Sequence, residues 1–462
     1  MSETKTIPSE LGTEKIGSLL KKYAIPAIIA MTASSLYNMV DSIFIGHGVG
    51  ALAISGLAVT FPLMNLSAAF GTLVGVGATT MISVLLGQRN YEVANKVLGN
   101  VVSLNLIIAV LFTIVTLVFL DPILFFFGAS ESTIVYAREY MQIILAGNAI
   151  THLYLGLNSA MRASGNPKLA MSLTIFTVVL NTVLDPVFIF LFDMGIKGAA
   201  IATVIAQAAA LVIVMKYFSD RKRMLRFEKG ILRLDIRIAK ASLSIGLAPF
   251  LMNSAACIVT LFINQQLGKY GGDLAIGAYG IVNRICFLFI MINMGLNQGM
   301  QPIAGYNYGA RQYTRVREVF WKTVKFATIV TSSGFLISVL FPQEAVSIFT
   351  HDEKMIELAA KGLRMCVLSF PFVGFQMTVS NFFQCIGMVN KAILLSMSRQ
   401  LLFLVPFLYT LPLLFESFGV WLSFPIADFL AFTVATLLFS GLYKKLKGLA
   451  DGDDASILGS KL

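Results

Sequence analysis

The chain is built from repeated apolar stretches of about 20 residues or more, separated by short polar segments. A helix rises about 1.5 Å per residue, so such a stretch crosses the ~30 Å hydrocarbon core of a bilayer. The composition agrees, because 57% of the residues are hydrophobic, only 13% are charged and the mean hydropathy is +0.79. These values lie outside the range of soluble globular proteins. The sequence predicts an all-α, polytopic membrane protein.

Twelve transmembrane helices are predicted. Several exceed the minimum spanning length, which indicates helices that tilt or project beyond the membrane. The predicted spans are 18–45, 52–86, 96–127, 132–162, 168–192, 196–218, 238–268, 274–308, 318–343, 354–386, 391–415 and 418–446.

Lys and Arg residues predict the orientation, because short cytoplasmic loops retain positive charge. With the N-terminus inside, 28 of the 35 basic residues lie on the cytoplasmic side, and Arg399 is counted among them. Six lie outside, and only Arg284 lies well inside a span. We expect a multi-pass protein of the plasma membrane with both termini in the cytoplasm. The net charge of +11 follows from this topology and from contact with anionic lipid, so no nucleic-acid partner is predicted.

The chain is internally duplicated. ALAISGL at 51–57 aligns with DLAIGAY at 273–279, and GQRNY at 87–91 aligns, at the same offset, with GARQY at 309–313. The duplication divides the twelve predicted helices into two lobes of six. Because six is an even number, both lobes enter the membrane from the same side, and a pseudo-two-fold axis along the membrane normal relates them. The predicted parts are an N-terminal segment 1–17, an N-lobe 18–218, a linker 219–237, a C-lobe 238–446 and a tail 447–462.

The linker and the tail are both predicted to be cytoplasmic. The linker is basic and contains three acidic residues, so it either lies at the lipid headgroups or is simply soluble. The acidic run DGDD at 451–454 is expected to be a solvated terminus.

Two acidic residues interrupt the apolar spans of the N-lobe. Asp41 lies about five residues before the outer end of the first helix, and Asp185 about seven before the outer end of the fifth. Thr203 lies about seven residues into the sixth helix from the same face, so the three residues share a similar depth. Ionisable groups in hydrocarbon are costly and are usually functional.

Two further polar residues precede these acids by four positions and therefore share their helix faces. Tyr37 precedes Asp41, and Asn181 precedes Asp185. An oxygen-rich set of this kind suits a shared proton or a hard cation such as Na⁺. The alternative is that the two acids are helix-end anchors exposed to external water. The C-lobe has no carboxylates at the matching positions.

The remaining polar residues give no comparable pattern. Arg284 either pairs with a carboxylate or contacts an anionic group, and Asp428 is expected to be structural. His47, His152 and His351 are scattered and form no metal-ligand spacing.

Four motifs carry a resemblance to a known family. They are YNMVDSIFIG at 37–46, GQRN at 87–90, NSAMRASGNPK at 158–168 and LNTVLDPVFI at 180–189. With the duplication, they make the chain similar to the multidrug and toxic compound extrusion (MATE) family, in its DinF-like and MepA-like branch. The resemblance covers about residues 16 to 447.

The resemblance implies a secondary active antiporter rather than an enzyme, with two lobes around a central cavity. It would expel organic cations or amphipathic drugs in exchange for H⁺ or Na⁺, as a monomer and without another cofactor. The acidic residues that the NorM branch of the family has in helices seven and ten are absent here, so coupling through the N-lobe is expected. The implied cation-binding positions are Asp41, Asn181, Asp185 and Thr203, their polar neighbours are Tyr37 and Asn158, and the kink proline is Pro26.

Three other functions stay open at this stage. A flippase for lipid-linked sugars would also be helical and duplicated, but it would need a basic cavity, and Arg284 is the one base predicted inside a span. A membrane enzyme would need convergent nucleophiles, bases or metal ligands, and the sequence shows none. A passive channel is compatible with the composition.

Overall fold

The structure is a computed structural model that describes residues 10–228, 230 and 233–454, without the side chains of residues 36–40, 42–43, 46–47, 51 and 273. The regular secondary structure of this described part is entirely helical. Its first half forms α1 Glu10–Thr13, α2 Ile16–Gly48, α3 Ala51–Gly87, α4 Tyr91–Val118, α5 Leu120–Phe126, α6 Ile134–Ala146, α7 Asn148–Ala163, α8 Pro167–Pro186 and α9 Gly195–Ser219, with a π-helical turn at Val187–Leu191.

The second half repeats this architecture. A 3₁₀ turn at Val367–Ser369 and a π-helical turn at Ser398–Leu404 join neighbouring helices. The helices are α10 Ile236–Gly309, α11 Tyr313–Leu340, α12 Pro342–Ser347, α13 Glu353–Cys366, α14 Phe370–Cys385, α15 Val389–Met397, α16 Val405–Thr410 and α17 Pro412–Gly448.

Eleven helices of the described part are long and apolar enough to cross a membrane. The predicted span 132–162 is not among these eleven, because an interruption at Gly147 divides its helix into the shorter α6 and α7. A Cβ atom at Gly147 would lie 2.5 Å from Cγ2 of Val204, so only glycine lets α9 approach this junction closely.

Two of the long helices each contain a sharp bend. Gly272 has φ 68° within α10, and Glu416 has φ 49° within α17. These left-handed residues lie between the predicted seventh and eighth spans and between the predicted eleventh and twelfth spans. Each of these helices therefore contains the turn that the sequence places between two spans.

The duplicated motifs adopt the same backbone turn. Arg89 has φ 59° and Arg311 has φ 57°, and both residues follow the end of a long helix. The amide of Asn90 donates to the carbonyl of Leu85, and at the equivalent place in the second half the amide of Gln312 donates to that of Asn307, each at 2.9 Å. The duplication thus extends from the sequence to the hydrogen-bonding pattern.

The chain divides into two compact units. Unit 1 contains residues up to Thr13 together with Ile29–Phe250, and unit 2 contains Glu14–Ile28 together with Leu251–Leu462. The division falls inside α2 and inside α10. Each unit has its own apolar core, which includes Tyr140 in unit 1 and Trp421 in unit 2.

Close helix crossings explain the division inside α2 and α10. In unit 2, a Cβ atom at Gly299 would lie 2.6 Å from the Cα of Ala24, and one at Gly295 would lie 2.6 Å from the Cα of Ile28. In unit 1, Gly77 meets the carbonyl of Ser242 in the same manner. Because Gly77 and Gly299 are related by the same offset as the duplicated motifs, the two crossings are equivalent. Glycine permits this approach of two helix backbones.

The linker and the tail are both held by hydrogen bonds. Asn95 on α4 accepts from the amide of Arg226 at 3.0 Å, and Asn100 accepts from the amide of Asp235 at 3.0 Å. In unit 2, Asp451 accepts at 2.9 Å from the amide of Thr314 in the first turn of α11. The four residues 451–454 are exposed, as expected of a solvated segment, and one of their carboxylates also caps a helix whose own N-cap residue makes no side-chain bond.

Candidate cation-binding site

The two intramembrane acids of unit 1 are buried. Asp41 on α2 is 4% exposed and Asp185 on α8 is 0% exposed. The interpretation of these residues as helix-end anchors in external water is therefore wrong. A buried charge must be compensated, because removing it from water costs several kcal/mol, on the order of the whole stability of many proteins.

The two carboxyl groups lie close enough to influence each other electrostatically. Oδ1 of Asp41 and both carboxyl oxygens of Asp185 are buried and accept no hydrogen bond from the described residues. Two carboxylates are both acceptors, so they attract each other only when a proton or another cation lies between them. A proton or another cation between the two groups would satisfy both.

Asn181 and Thr203 adjoin this pair. Asn181, one turn before Asp185 on α8, donates from Nδ2 to Oγ1 of Thr203 on α9 at 3.1 Å. The Thr203 hydroxyl in turn donates to the carbonyl of Ala199 at 3.1 Å. Oδ1 of Asn181 accepts no hydrogen bond within the described part of the chain. The amide oxygen is thus a further buried acceptor on the same helix face as Asp185.

The backbone next to Asp185 is irregular. Pro186 follows it and supplies no N–H group, and the π-helical turn Val187–Leu191 continues the helix. Such turns are frequent at functional sites, because the extra residue changes the direction of the side chains. The sequence signal for this irregularity is the Asp-Pro dipeptide.

Two of the residues implied by the resemblance lie on α2. Tyr37 is four residues before Asp41, but its side chain lies outside the described residues. Pro26 lies inside the helix, two residues before the division between the units. A proline there removes one helical hydrogen bond and permits a bend.

Asn158 is not bonded to the carboxylate pair. Its Nδ2 donates to Oγ1 of Thr174 at 3.1 Å, and the hydroxyl of Tyr154 donates to the same atom at 3.4 Å. Thr174 lies seven residues before Asn181 on the same face of α8. Sequence reasoning missed Thr174, although the spacing of Thr174, Thr177 and Asn181 was a signal for it.

Unit 1 holds a second buried polar group that the sequence did not reveal. Ser67 on α3 donates to Oδ1 of Asn148 at 2.6 Å and lies 3.2 Å from Nε2 of His152. His152 is fully buried. The group joins α3 to α7 and touches none of the acids.

Two arginines of unit 2 differ from their expected places. Arg399 was counted with the cytoplasmic residues, but it lies within the helical stretch 389–410 and pairs with Asp428 on α17. Arg284 lies within the span 274–309, is exposed, and forms no ion pair with the residues that the structure describes. The expected carboxylate partner of Arg284 is therefore not found there.

The chemistry of the unit 1 site follows from its donor set. The described residues contain no group of three or more His, Cys, Asp or Glu side chains that could hold a metal ion. Carboxylate, amide and hydroxyl oxygens suit H⁺ or a hard cation such as Na⁺, whereas transition metals prefer imidazole or thiolate. The arrangement can bind and release one small cation.

Comparisons with known proteins agree over most of the chain. A family model described as MatE matches residues 26–187 and 245–410. The multidrug export protein MepA of Staphylococcus haemolyticus is 27% identical over 436 residues, which are 94% of this chain and 95% of that protein. MepA of Staphylococcus aureus strain MSSA476 is 27% identical over 90% of this chain and 92% of its own length.

Solved structures show the same fold. The chain is similar, with a TM-score of 0.90 and 25% identity, to an outward-facing multidrug resistance MATE family transporter of the MOP superfamily. That match covers 97% of this chain and 100% of the other. A MOP superfamily transporter from Pyrococcus furiosus matches with a TM-score of 0.88 and 25% identity, over 97% of this chain and 100% of that one.

Proposed function

This chain belongs to the MatE family, and we propose that it is a multidrug efflux antiporter that expels amphipathic organic cations in exchange for H⁺ or Na⁺. The described helices make it a multi-pass membrane protein. The MepA relatives are multidrug export proteins, and this similarity supports the choice of substrate class. The orientation predicted from the basic residues places both termini in the cytoplasm.

The observation that carries the coupling is the pair Asp41 and Asp185. Both acids are buried inside membrane-spanning helices, interact with each other and contact no basic side chain of the described residues. Their charge needs a partner that the described residues do not supply. A mobile cation drawn from the solution would compensate it.

Binding of this ion provides a means of driving export. Asp41 lies on α2 and Asp185 on α8, so a cation held between them draws the two helices together and neutralises the site. The bend permitted by Pro26 lets α2 respond to this change. The ion and the drug then favour different conformations, and each lowers the apparent affinity of the other by the same factor.

The test is uptake of a fluorescent organic cation into proteoliposomes under an imposed H⁺ or Na⁺ gradient. Asp41→Asn and Asp185→Asn remove one charge each with little change of shape, and we expect both to abolish gradient-driven uptake. Asp193→Asn is the matched control, because Asp193 is exposed and its φ of 52° suits asparagine. The ion whose gradient drives wild-type uptake is the coupling ion.

The outcomes separate antiport from the alternatives. Drug uptake by folded wild-type protein that depends on neither the H⁺ gradient nor the Na⁺ gradient would contradict the proposal. Exposed Arg284 makes a flippase with an anionic, lipid-linked substrate the next candidate, and competition by such a lipid then distinguishes it. A passive channel would equilibrate the dye without accumulating it against its own gradient.

A further inference from the structure

Unit 2 contains its own buried intramembrane acid. Asp428 on α17 is 5% exposed and lies about twelve residues after the bend at Glu416, which is about 18 Å along a helix axis. This depth is near the middle of a ~30 Å hydrocarbon layer. The buried charge of Asp428 therefore needs compensation, as do the charges of Asp41 and Asp185.

The basic side chain of Arg399 compensates the charge of Asp428. Nε of Arg399 donates to Oδ1 of Asp428 at 2.5 Å, and the hydroxyl of Ser369 donates to Oδ2 at 2.7 Å. Each carboxylate oxygen thus has a donor, in contrast to Asp185. Arg399 lies about ten residues, or about 15 Å, beyond the start of α15, so its charge is also well inside the membrane.

The local backbone positions this arginine. Arg399 is the second residue of the π-helical turn Ser398–Leu404, where the widened turn changes the direction of the side chain. Ser369 ends the 3₁₀ turn Val367–Ser369, which joins two helices of the same span. Three separate helical elements therefore meet at the carboxylate of Asp428.

The pair lies beside the buried apolar cluster of unit 2. Val367, Phe370 and Ala427, which flank Ser369 and Asp428 in sequence, belong to that cluster. In such an environment a single uncompensated charge is far more costly than a paired one. Loss of either partner would leave the other in need of a substitute.

The two units differ at this point in spite of their duplication. At the offset of the duplicated motifs, Thr177 stands where unit 2 has Arg399, and Ala206 stands where it has Asp428. Unit 1 holds a carboxylate pair without a described basic partner, whereas unit 2 holds one carboxylate with an arginine. One unit depends on a mobile cation, and the other carries its cation covalently.

We propose that Arg399 is a tethered counter-cation that fills, in unit 2, a latent cation site formed by Asp428 and Ser369. The inference rests on the antiport proposed above. The guanidinium stays with Asp428 throughout the transport cycle, so unit 2 takes up no H⁺ or Na⁺. Arg399 thereby limits each cycle to the ions bound at Asp41 and Asp185.

The test compares the number of ions exchanged per drug molecule in wild type and in variants of the pair. The number is read from the opposing drug gradient that just stops ion-driven uptake in proteoliposomes. Arg399→Gln leaves the carboxylate of Asp428 without its counter-charge and is expected to add one ion per cycle. Arg399→Lys keeps the cation and is expected to leave the number unchanged. Arg399→Gln/Asp428→Asn removes both charges and is expected to restore the wild-type number.

A second measurement does not require transport. Binding of ²²Na⁺, and proton uptake followed with a pH dye, are measured on the purified full-length chain. Arg399→Gln is expected to bind one cation more than wild type, and Asp428→Asn in the same background is expected to remove it. This measurement separates the two proposals, since it remains valid when wild-type uptake ignores both gradients.

Each possible result of these experiments either supports the inference or contradicts it. An Arg399→Gln variant that folds and binds no additional cation overturns the inference. If Arg399→Gln alone fails to fold, the charge-free double variant should fold and transport with the wild-type number, which supports compensation as the role of Arg399. A double variant that fails to fold, or that folds and loses coupling, would show that the pair does something other than balance charge.

Discussion

The side-chain amide of Asn181 donates a 3.1 Å hydrogen bond to the hydroxyl oxygen of Thr203. This bond fixes the orientation of the amide. Nδ2 is bonded to Thr203, and Oδ1 is a buried acceptor that takes no hydrogen bond from the described residues. We therefore expect Thr203 to orient the amide of Asn181 at the site.

Thr203→Val should weaken the binding of the coupling ion without abolishing transport. The valine cannot accept the bond from Asn181, and the lost orientation is worth about 1.5 kcal/mol, or roughly tenfold in the apparent affinity for the driving ion. The ion dependence of uptake measures this change. Thr203→Ser keeps the hydroxyl and should behave as wild type.

Thr182→Val is the matched control on α8, because the hydroxyl of Thr182 donates only to the carbonyl of Val178 in its own helix. An equal effect of Thr182→Val and Thr203→Val would contradict the orienting role of Thr203.

Thr174→Val should destabilise the protein more than it alters coupling. It leaves Nδ2 of Asn158 and the hydroxyl of Tyr154 without their shared acceptor, at a cost of about 1–3 kcal/mol. We expect a lower unfolding temperature in detergent and an ion affinity within about threefold of wild type. A tenfold loss of ion affinity would instead make Asn158 part of the cation site.

Gly299→Ala should destabilise unit 2. The added methyl would lie 2.6 Å from the backbone of Ala24, so α2 and α10 must separate, and overpacking of this kind costs about 1–3 kcal/mol. Gly280→Ala in the same helix meets no atom within 4 Å and should be neutral or stabilising, because alanine favours helix. Thermal unfolding of the two variants compares them directly, and equal melting temperatures would exclude the close crossing.

Asp451→Ala should loosen the start of α11. The carboxylate of Asp451 caps the amide of Thr314, and loss of such a cap costs about 1 kcal/mol. Hydrogen exchange at the first turn of α11 should increase, whereas ion-driven uptake should be unchanged. Asp454→Ala is the control, since Asp454 reaches Arg311 only at 3.7 Å on the surface.

The sequence alone was sufficient where the signal is local. Apolar runs of spanning length predicted the membrane helices, and the aligned motifs predicted two duplicated halves, which share a backbone turn at Arg89 and Arg311. The acids Asp41 and Asp185 stood out because charge is rare in such runs. These properties depend on residues within one or two helical turns of each other.

Tertiary structure decided the rest, because partners from different helices cannot be paired by spacing. The sequence counted Arg399 with the cytoplasmic residues, and only packing shows that it meets Asp428 inside the membrane. The break at Gly147 depends on how closely Val204 approaches, and the orientation of Asn181 depends on Thr203. The sequence determined which stretches are apolar enough to cross the membrane, and packing determined which charges the chain itself balances there, because ion pairs form between helices that are distant in sequence.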